Sequence, residues 1–109
     1  MDRMLNMLGL CARAGRLITG EKACEQAVRG GGAFVALLDG AAAANAVKTL
    51  GDACRSYGVP LLRTGEYALG DAIGKPGRMA AAVTDARMAQ RLIELSTAES
   101  IGDHKGPTT

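Results

Sequence analysis

The sequence predicts an α/β protein: a three-layer α/β/α sandwich around a small mixed, largely parallel sheet. Three observations carry that expectation. Stretches with apolar residues at three- and four-residue spacing alternate along the chain with short runs that are apolar throughout. The clearest run, Ala33–Leu38, is bounded by turn residues and shows no polar alternation, as a strand covered on both faces does. Aromatics make up 3% of a chain that is 48% hydrophobic, so small aliphatic side chains must fill the core and let helices lie close to a sheet.

Taken in order, residues 3–13 read as a helix, with Met4, Leu5, Leu8 and Cys11 on one stripe and Gly15 as the stop. Arg16–Thr19 follows as a short strand. A second helix spans Gly20–Arg29, with Thr19 or Gly20 as its cap, Glu21 at its positive end, and Ala23, Cys24, Ala27 and Val28 inward. Gly30-Gly31-Gly32 ends it and leads into the strand Ala33–Leu38. The third helix, Ala42–Tyr57, has the clearest period: Ala43, Val47, Leu50, Cys54, Tyr57. Gly58 stops it, and Pro60 introduces the strand Leu61–Arg63. A short helix over Glu66–Ile73, capped by Thr64 or Gly65, is followed by the loop Gly74-Lys75-Pro76-Gly77 and a strand over Arg78–Val83. Thr84 or Asp85 caps a last helix, Ala86–Leu95.

A chain of 109 residues accommodates one domain. It is expected over residues 1–95, with a polar, disordered tail over 96–109. Net charge is +2; the tail carries two acids and one base of the total, leaving twelve bases and nine acids in the body. Such a body is only mildly basic and has no Lys/Arg run, so nucleic-acid affinity must come from the placement of a few groups. DNA is not an expected partner. No apolar stretch approaches a membrane span and no signal-peptide pattern opens the chain, so the expected location is the cytoplasm.

The same survey excludes most catalytic chemistry. Cys11, Cys24 and Cys54 lack metal-ligand spacing and lie on apolar helix faces, as buried free thiols do. The single histidine, His104, lies in the tail, so the body holds no Ser/His/Asp or Cys/His set. No phosphate-gripping glycine loop with its lysine is present. The expectation is a protein without enzymatic activity, metal or cofactor.

Two cationic, glycine-containing segments remain. One is Arg16–Lys22, where a helix start offers unpaired N–H groups, Gly20 permits close approach, and Lys22 can reach a phosphate or base. The other is the loop Lys75–Ala80, charged by Lys75 and Arg78, with Met79 able to lie against a base. By pattern alone the first reads more readily as an ordinary capped helix with surface charges and the second as a plain connection. Base stacking on aromatics is not expected in a chain so poor in them.

The motifs, in order, carry a family likeness. Leu8-Gly9-Leu10-Cys11-Ala12-Arg13-Ala14-Gly15-Arg16-Leu17, Thr19-Gly20-Glu21, the run Phe34–Leu38, Gly58-Val59-Pro60, Leu69-Gly70-x-Ala72-Ile73-Gly74 and Ala82-Val83-Thr84-Asp85 carry a match that extends over residues 3–95. In this order the sequence resembles the bacterial YlxQ-type branch of the ribosomal protein L-seven-Ae / L-thirty-e superfamily. The resemblance implies an α/β/α sandwich and binding to kink-turn RNA, a sharply bent helix–internal loop–helix built on sheared G·A pairs. It implies that the second helix docks its start on those pairs while the loop before the last strand covers a flipped-out nucleotide. By that likeness Gly20 opens the helix motif, Lys22 faces a guanine, and Lys75–Ala80 is the covering loop. A shift of one residue would put Glu21 in the place of Lys22. Ala23 stands where many members have Glu or Gln, and Gln26 where they usually have Lys, so RNA binding is a firmer expectation than kink-turn preference.

The expected RNA-binding residues are therefore Arg16, Thr19, Gly20, Glu21, Lys22, Gln26, Lys75, Arg78, Met79 and Ala80. The expected partner is structured RNA, a kink-turn or ribosomal RNA, with the ribosome as one setting. The rival expectation is a protein-interaction module that kept the fold and lost kink-turn binding.

Overall fold

In the computed structural model, which describes residues 2–104 and side chains through residue 97, five helices alternate with four strands. The order is α1 (Arg3–Arg13), β1 (Leu17–Thr19), α2 (Glu21–Arg29), β2 (Val35–Leu38), α3 (Ala44–Tyr57), β3 (Leu61–Arg63), α4 (Ala68–Ile73), β4 (Ala80–Val83) and α5 (Ala86–His104). Local chemistry starts the outer helices. Asp2 accepts from the Leu5 N–H at 3.0 Å to cap α1, and Asp85, rather than Thr84, accepts from the Met88 N–H at 2.9 Å to cap α5.

The strands form one sheet in the order β1-β4-β2-β3. Burial follows from that order. The central strands β4 and β2 are buried along their whole length, whereas the edge strands β1 and β3 are only partly covered. Two-residue alternation then divides the core. Val35 and Leu37 of β2, with Ala81 and Val83 of β4, face Met4, Leu8 and Cys11 of α1, Leu69 and Ile73 of α4, and Ala89, Leu92 and Leu95 of α5. Ala36 and Leu38, with Ala80 and Ala82, face Cys24 and Val28 of α2 and Leu50, Ala53 and Cys54 of α3. The three layers are those the sequence predicts, and the sheet is mixed.

Its balance differs from the expectation. β2 and β3 are parallel, but β1–β4 and β2–β4 are antiparallel. An unbroken apolar run reports cover on both faces and carries no information on strand direction. Several boundaries also move. Arg78 and Met79 precede β4 instead of opening it, and Thr64 and Gly65 do not cap α4, whose N-cap position is Tyr67. Helix α5 continues over 96–104, where polar composition suggested an unstructured tail; among the described side chains its last core contribution is Leu95. Residues 105–109 of that tail lie outside the described residues.

Some apolar positions face water. Ala23 and Ala43 are exposed, because alanine marks helix propensity as much as burial. Phe34 and Tyr57 are 46% and 51% exposed at the sheet end where β2 begins and α3 finishes. The Arg29 guanidinium lies over the Tyr57 ring, 5.8 Å from its centroid.

The three cysteines are buried and free. Burial raises the pKa of all three thiols. For Cys24, burial and then the neighbouring Cys54 and Glu21 push it up to about 12. The thiolate is the reactive form, so these groups are inert near neutrality. Labelling of the native protein at pH 7 with a thiol reagent should be slow, and unfolding in denaturant should release all three sites at once. Rapid labelling of one native thiol would contradict this packing.

Candidate nucleic-acid interface

The four strands present one common end of the sheet, and both cationic segments converge there. Thr19 pairs with Ala81, and the Gly20 N–H donates to the Ala80 carbonyl at 3.1 Å. The start of α2 is thereby fixed beside the loop that enters β4. Gly20 has φ +100, a conformation that favours glycine, and it is the N-cap of α2 without a side-chain cap. A Cβ built on Gly20 would lie 3.4 Å from Nη1 of Arg78. The Arg78 guanidinium thus sits against a helix start whose dipole is already positive.

The loop itself is moulded on α4. The Lys75 N–H donates to the Gly70 carbonyl at 2.9 Å, and the Arg78 N–H to the Lys75 carbonyl at 3.2 Å. A Cβ on Gly70 would meet the Lys75 oxygen at 2.7 Å and the Gly77 nitrogen at 3.0 Å, so only glycine lets the loop lie this close.

Asp39, which sequence reasoning passed over, joins these parts. It follows β2 and is fully buried. Its Oδ2 accepts from the N–H groups of Tyr67 at 2.7 Å and Ala41 at 2.8 Å. Its Oδ1 accepts from the Leu69 N–H at 3.0 Å and the Thr64 hydroxyl at 3.1 Å. The start of α4 is therefore capped by a residue 28 to 30 positions away instead of by a neighbour. Its own N–H donates to the Met79 carbonyl at 2.8 Å, which anchors the loop before β4. Burial by itself would raise the carboxyl pKa, but the donors from Leu69, Ala41, Tyr67 and Thr64 outweigh it and hold it below the ordinary 3.8. The available signal was a lone acid at the end of an apolar run, in Leu37-Leu38-Asp39-Gly40.

The expected site residues do not all share this end. Glu21 and Lys22 are exposed in the first turn of α2. Lys22 and Gln26, four residues apart and both exposed, lie on one line of the helix. Glu21 and Glu25 lie on the next line and border, with Asn45, Ala46 and Thr49, the groove between α2 and α3, where Lys22 stands as well. Glu21 and Lys22 both border this groove and both are exposed to solvent. Lys75 and Arg78 are exposed and Met79 is half-buried.

Two positions need correction. Ala80 is fully buried and faces α2 and α3, so its side chain offers no contact surface and only its carbonyl serves the site. Arg16 lies at the opposite end of β1, where its carbonyl accepts from Thr84. That is about 13 Å of extended chain from Gly20. A strand turns proximity in sequence into separation along the sheet.

One cation was missed. Arg63 ends β3 at the shared end, pairs with Leu38 in register, and donates from Nη2 to the Asp39 carbonyl at 3.4 Å. Lys22, Arg78 and Arg63 accordingly mark a row across the strand ends, about 14 Å for three strand spacings. Among the described residues Lys22, Lys75 and Arg78 have no ion-pair partner, whereas Arg29, Lys48, Arg55 and Arg91 each have one. Exposed acids at this end include Glu21, Glu66 and Asp71, the last in the first turn of α4.

The fold is thus a small α/β/α domain in which a bare helix start meets a glycine-shaped loop at one end of the sheet. The Giardia lamblia 15.5kD RNA binding protein shares the fold, with a TM-score of 0.71 at 20% identity, over 86% of this chain and 84% of that one. A protein of unknown function from Bacillus halodurans C matches more closely, with a TM-score of 0.85 at 37% identity, over 89% of this chain and 99% of the other. The RNA-binding protein YlxQ of Bacillus subtilis (strain 168) is 38% identical over 90 residues, 82% of this chain and 90% of its own. The chain belongs to the YlxQ family. No family profile matches it.

Asp39→Ala should lower unfolding free energy by about 3–5 kcal/mol, since it strands several buried donors. Asp39→Asn, which keeps one acceptor oxygen, should cost less; urea titration measures both. The pKa of Asp39 is depressed in the folded state, so its contribution is complete above the unfolded value near 3.8 and is lost as pH falls through the lower folded value. Wild-type stability should therefore fall more steeply than that of Asp39→Asn as pH drops below about 4.

Proposed function

We propose that this chain binds structured RNA without catalysing a reaction, and that it recognises a sharply bent RNA of the kink-turn kind. The observation that carries the reading is the Arg78 guanidinium against Gly20, at a helix start with no side-chain cap. Arg78 has no ion-pair partner there among the described residues, and a free guanidinium at a helix start suits a phosphate or the acceptor edge of a guanine.

Several features support the same reading. The relative from Bacillus subtilis is named an RNA-binding protein, and the neighbour from Giardia lamblia carries that description too. The charged row spans the strand ends rather than a groove, so it suits a bent backbone lying across the end of the sandwich. Net charge is only +2, so binding depends on this local arrangement. Lys22 approaches a base at the bend, Gln26 and Arg63 meet the backbone, and Lys75, Arg78 and Met79 close over the far side. Ribosomal RNA, in the cytoplasm, is the natural target for a domain of this kind. Among the described residues no helix is long and apolar enough to cross a membrane.

Lys22→Glu combined with Arg78→Glu should weaken binding to a kink-turn RNA by roughly tenfold or more. The same pair should flatten the dependence of log K on log salt by about 1.4 to 1.8, one counterion-release increment per lost phosphate contact. Replacing the sheared G·A pairs by Watson–Crick pairs should weaken wild-type binding as well. Unchanged affinity and slope in the double variant would move the site elsewhere. An absence of RNA binding by the wild type would favour a protein-interaction module built on the same fold.

A further inference from the structure

Tyr67 is the one aromatic residue at the charged end of the sheet. Phe34 and Tyr57 stand at the other end, where β2 begins and α3 finishes. Its side chain belongs to the most exposed of the large apolar residues, at 63%. Among the described residues it is also the one non-glycine residue with positive φ, at 62°. That conformation is costly for a bulky residue and free for glycine. Neither backbone preference nor core packing therefore accounts for a tyrosine here, and strained residues of this kind cluster at ligand contacts.

Its position points to the ligand. The Tyr67 N–H is held by Asp39 Oδ2 at 2.7 Å, and the Asp39 N–H holds the Met79 carbonyl at 2.8 Å. One residue thus ties the backbone of Tyr67 to the loop carrying Lys75, Arg78 and Met79. On its other side Arg63 reaches the carbonyl of the same Asp39. The backbone beneath this exposed ring is therefore held at the end of the sheet that also carries Arg63, Lys75 and Arg78. A nucleobase that leaves its helix loses stacking on both faces, and an aromatic ring restores it.

We propose that Tyr67 is a stacking surface for an unstacked base of the bound RNA, flanked by Arg63 as a phosphate contact. The inference rests on the RNA-binding reading above and assigns one residue and one type of contact within it. It also revises the sequence-based expectation that this chain has no aromatic platform. The interaction is with the face of the base, so it tolerates any base and needs no hydroxyl.

The test uses the full chain and a kink-turn RNA carrying 2-aminopurine at its unpaired nucleotide. Affinity, salt slope and fluorescence are measured for wild type, Tyr67→Phe, Tyr67→Gly and the Lys22→Glu/Arg78→Glu pair. Wild type and Tyr67→Phe should bind alike and quench the fluorophore. Tyr67→Gly should bind about tenfold more weakly, as loss of one stacked base does, and leave the fluorophore bright with an unchanged salt slope. Glycine accepts the positive φ and keeps the N–H to Asp39, so its melting temperature should not fall. If Tyr67→Gly binds and quenches like wild type while the charge-reversed pair is weakened, the stacking role is wrong and the RNA reading stands. If wild type does not bind the RNA, the RNA reading fails and the stacking role goes with it.

Discussion

A carboxylate closed off from water at the end of a buried strand sets the terms for everything around it. Removing such a charge from solvent costs several kcal/mol unless its lone pairs are filled. Asp39 fills them with four donors drawn from the turn at Ala41, from Thr64 beyond β3, and from Tyr67 and Leu69 at the start of α4. Its main-chain N–H adds the loop before β4 through Met79. These segments must all be in place for the charge to be tolerated, so their positions are coupled. A charged face made of short loops thereby acquires the rigidity of the sheet.

Small side chains make the same end accessible. Ala80, Ala81 and Ala82 run along a central strand that is buried on both faces, and helices close in from either side. Glycine does the equivalent for main chain. Gly40 lies so close to the strand-end loop that a Cβ would meet the Thr64 oxygen at 2.8 Å, while Gly70 admits the loop from Lys75. The close approach of backbone to backbone brings four strand ends and one helix start onto a single surface. Cations spread over more than fifty residues of sequence, from Lys22 to Arg78, then act together. That concentration in space explains how a chain with so little net charge can present a basic face.

Much of this was legible in the residues and some was not. The helix start at Gly20 and the glycine-rich loop that carries Lys75 and Arg78 were readable because both are local events with local signatures. Arg16 was misplaced because a three-residue strand carries its two ends to opposite edges. Ala80 was misplaced because the loop ends one residue before it, where the core begins. Arg63 and Tyr67 gave no signal, since a single Arg ending a strand and a single Tyr before a helix are common. Asp39 was legible only as an oddity. A local cap at Thr64 or Gly65 was the natural expectation for α4, and the actual cap came from a different strand.

By itself, then, the sequence determined the layered class, the succession of helices and strands, the burial of the thiols, and the helix start and glycine loop that carry the candidate cations. Each of these follows from periodicity, turn chemistry or side-chain size within a window of a few residues. Strand direction, the pairing of β1 and β2 with β4, and the meeting of Gly20 with Arg78 were decided by tertiary structure alone. So was the remote capping of α4 by Asp39. These features depend on hydrogen bonds between groups tens of residues apart, which no local pattern encodes. They form only when one carboxylate, sealed from water, requires all of its partners at once.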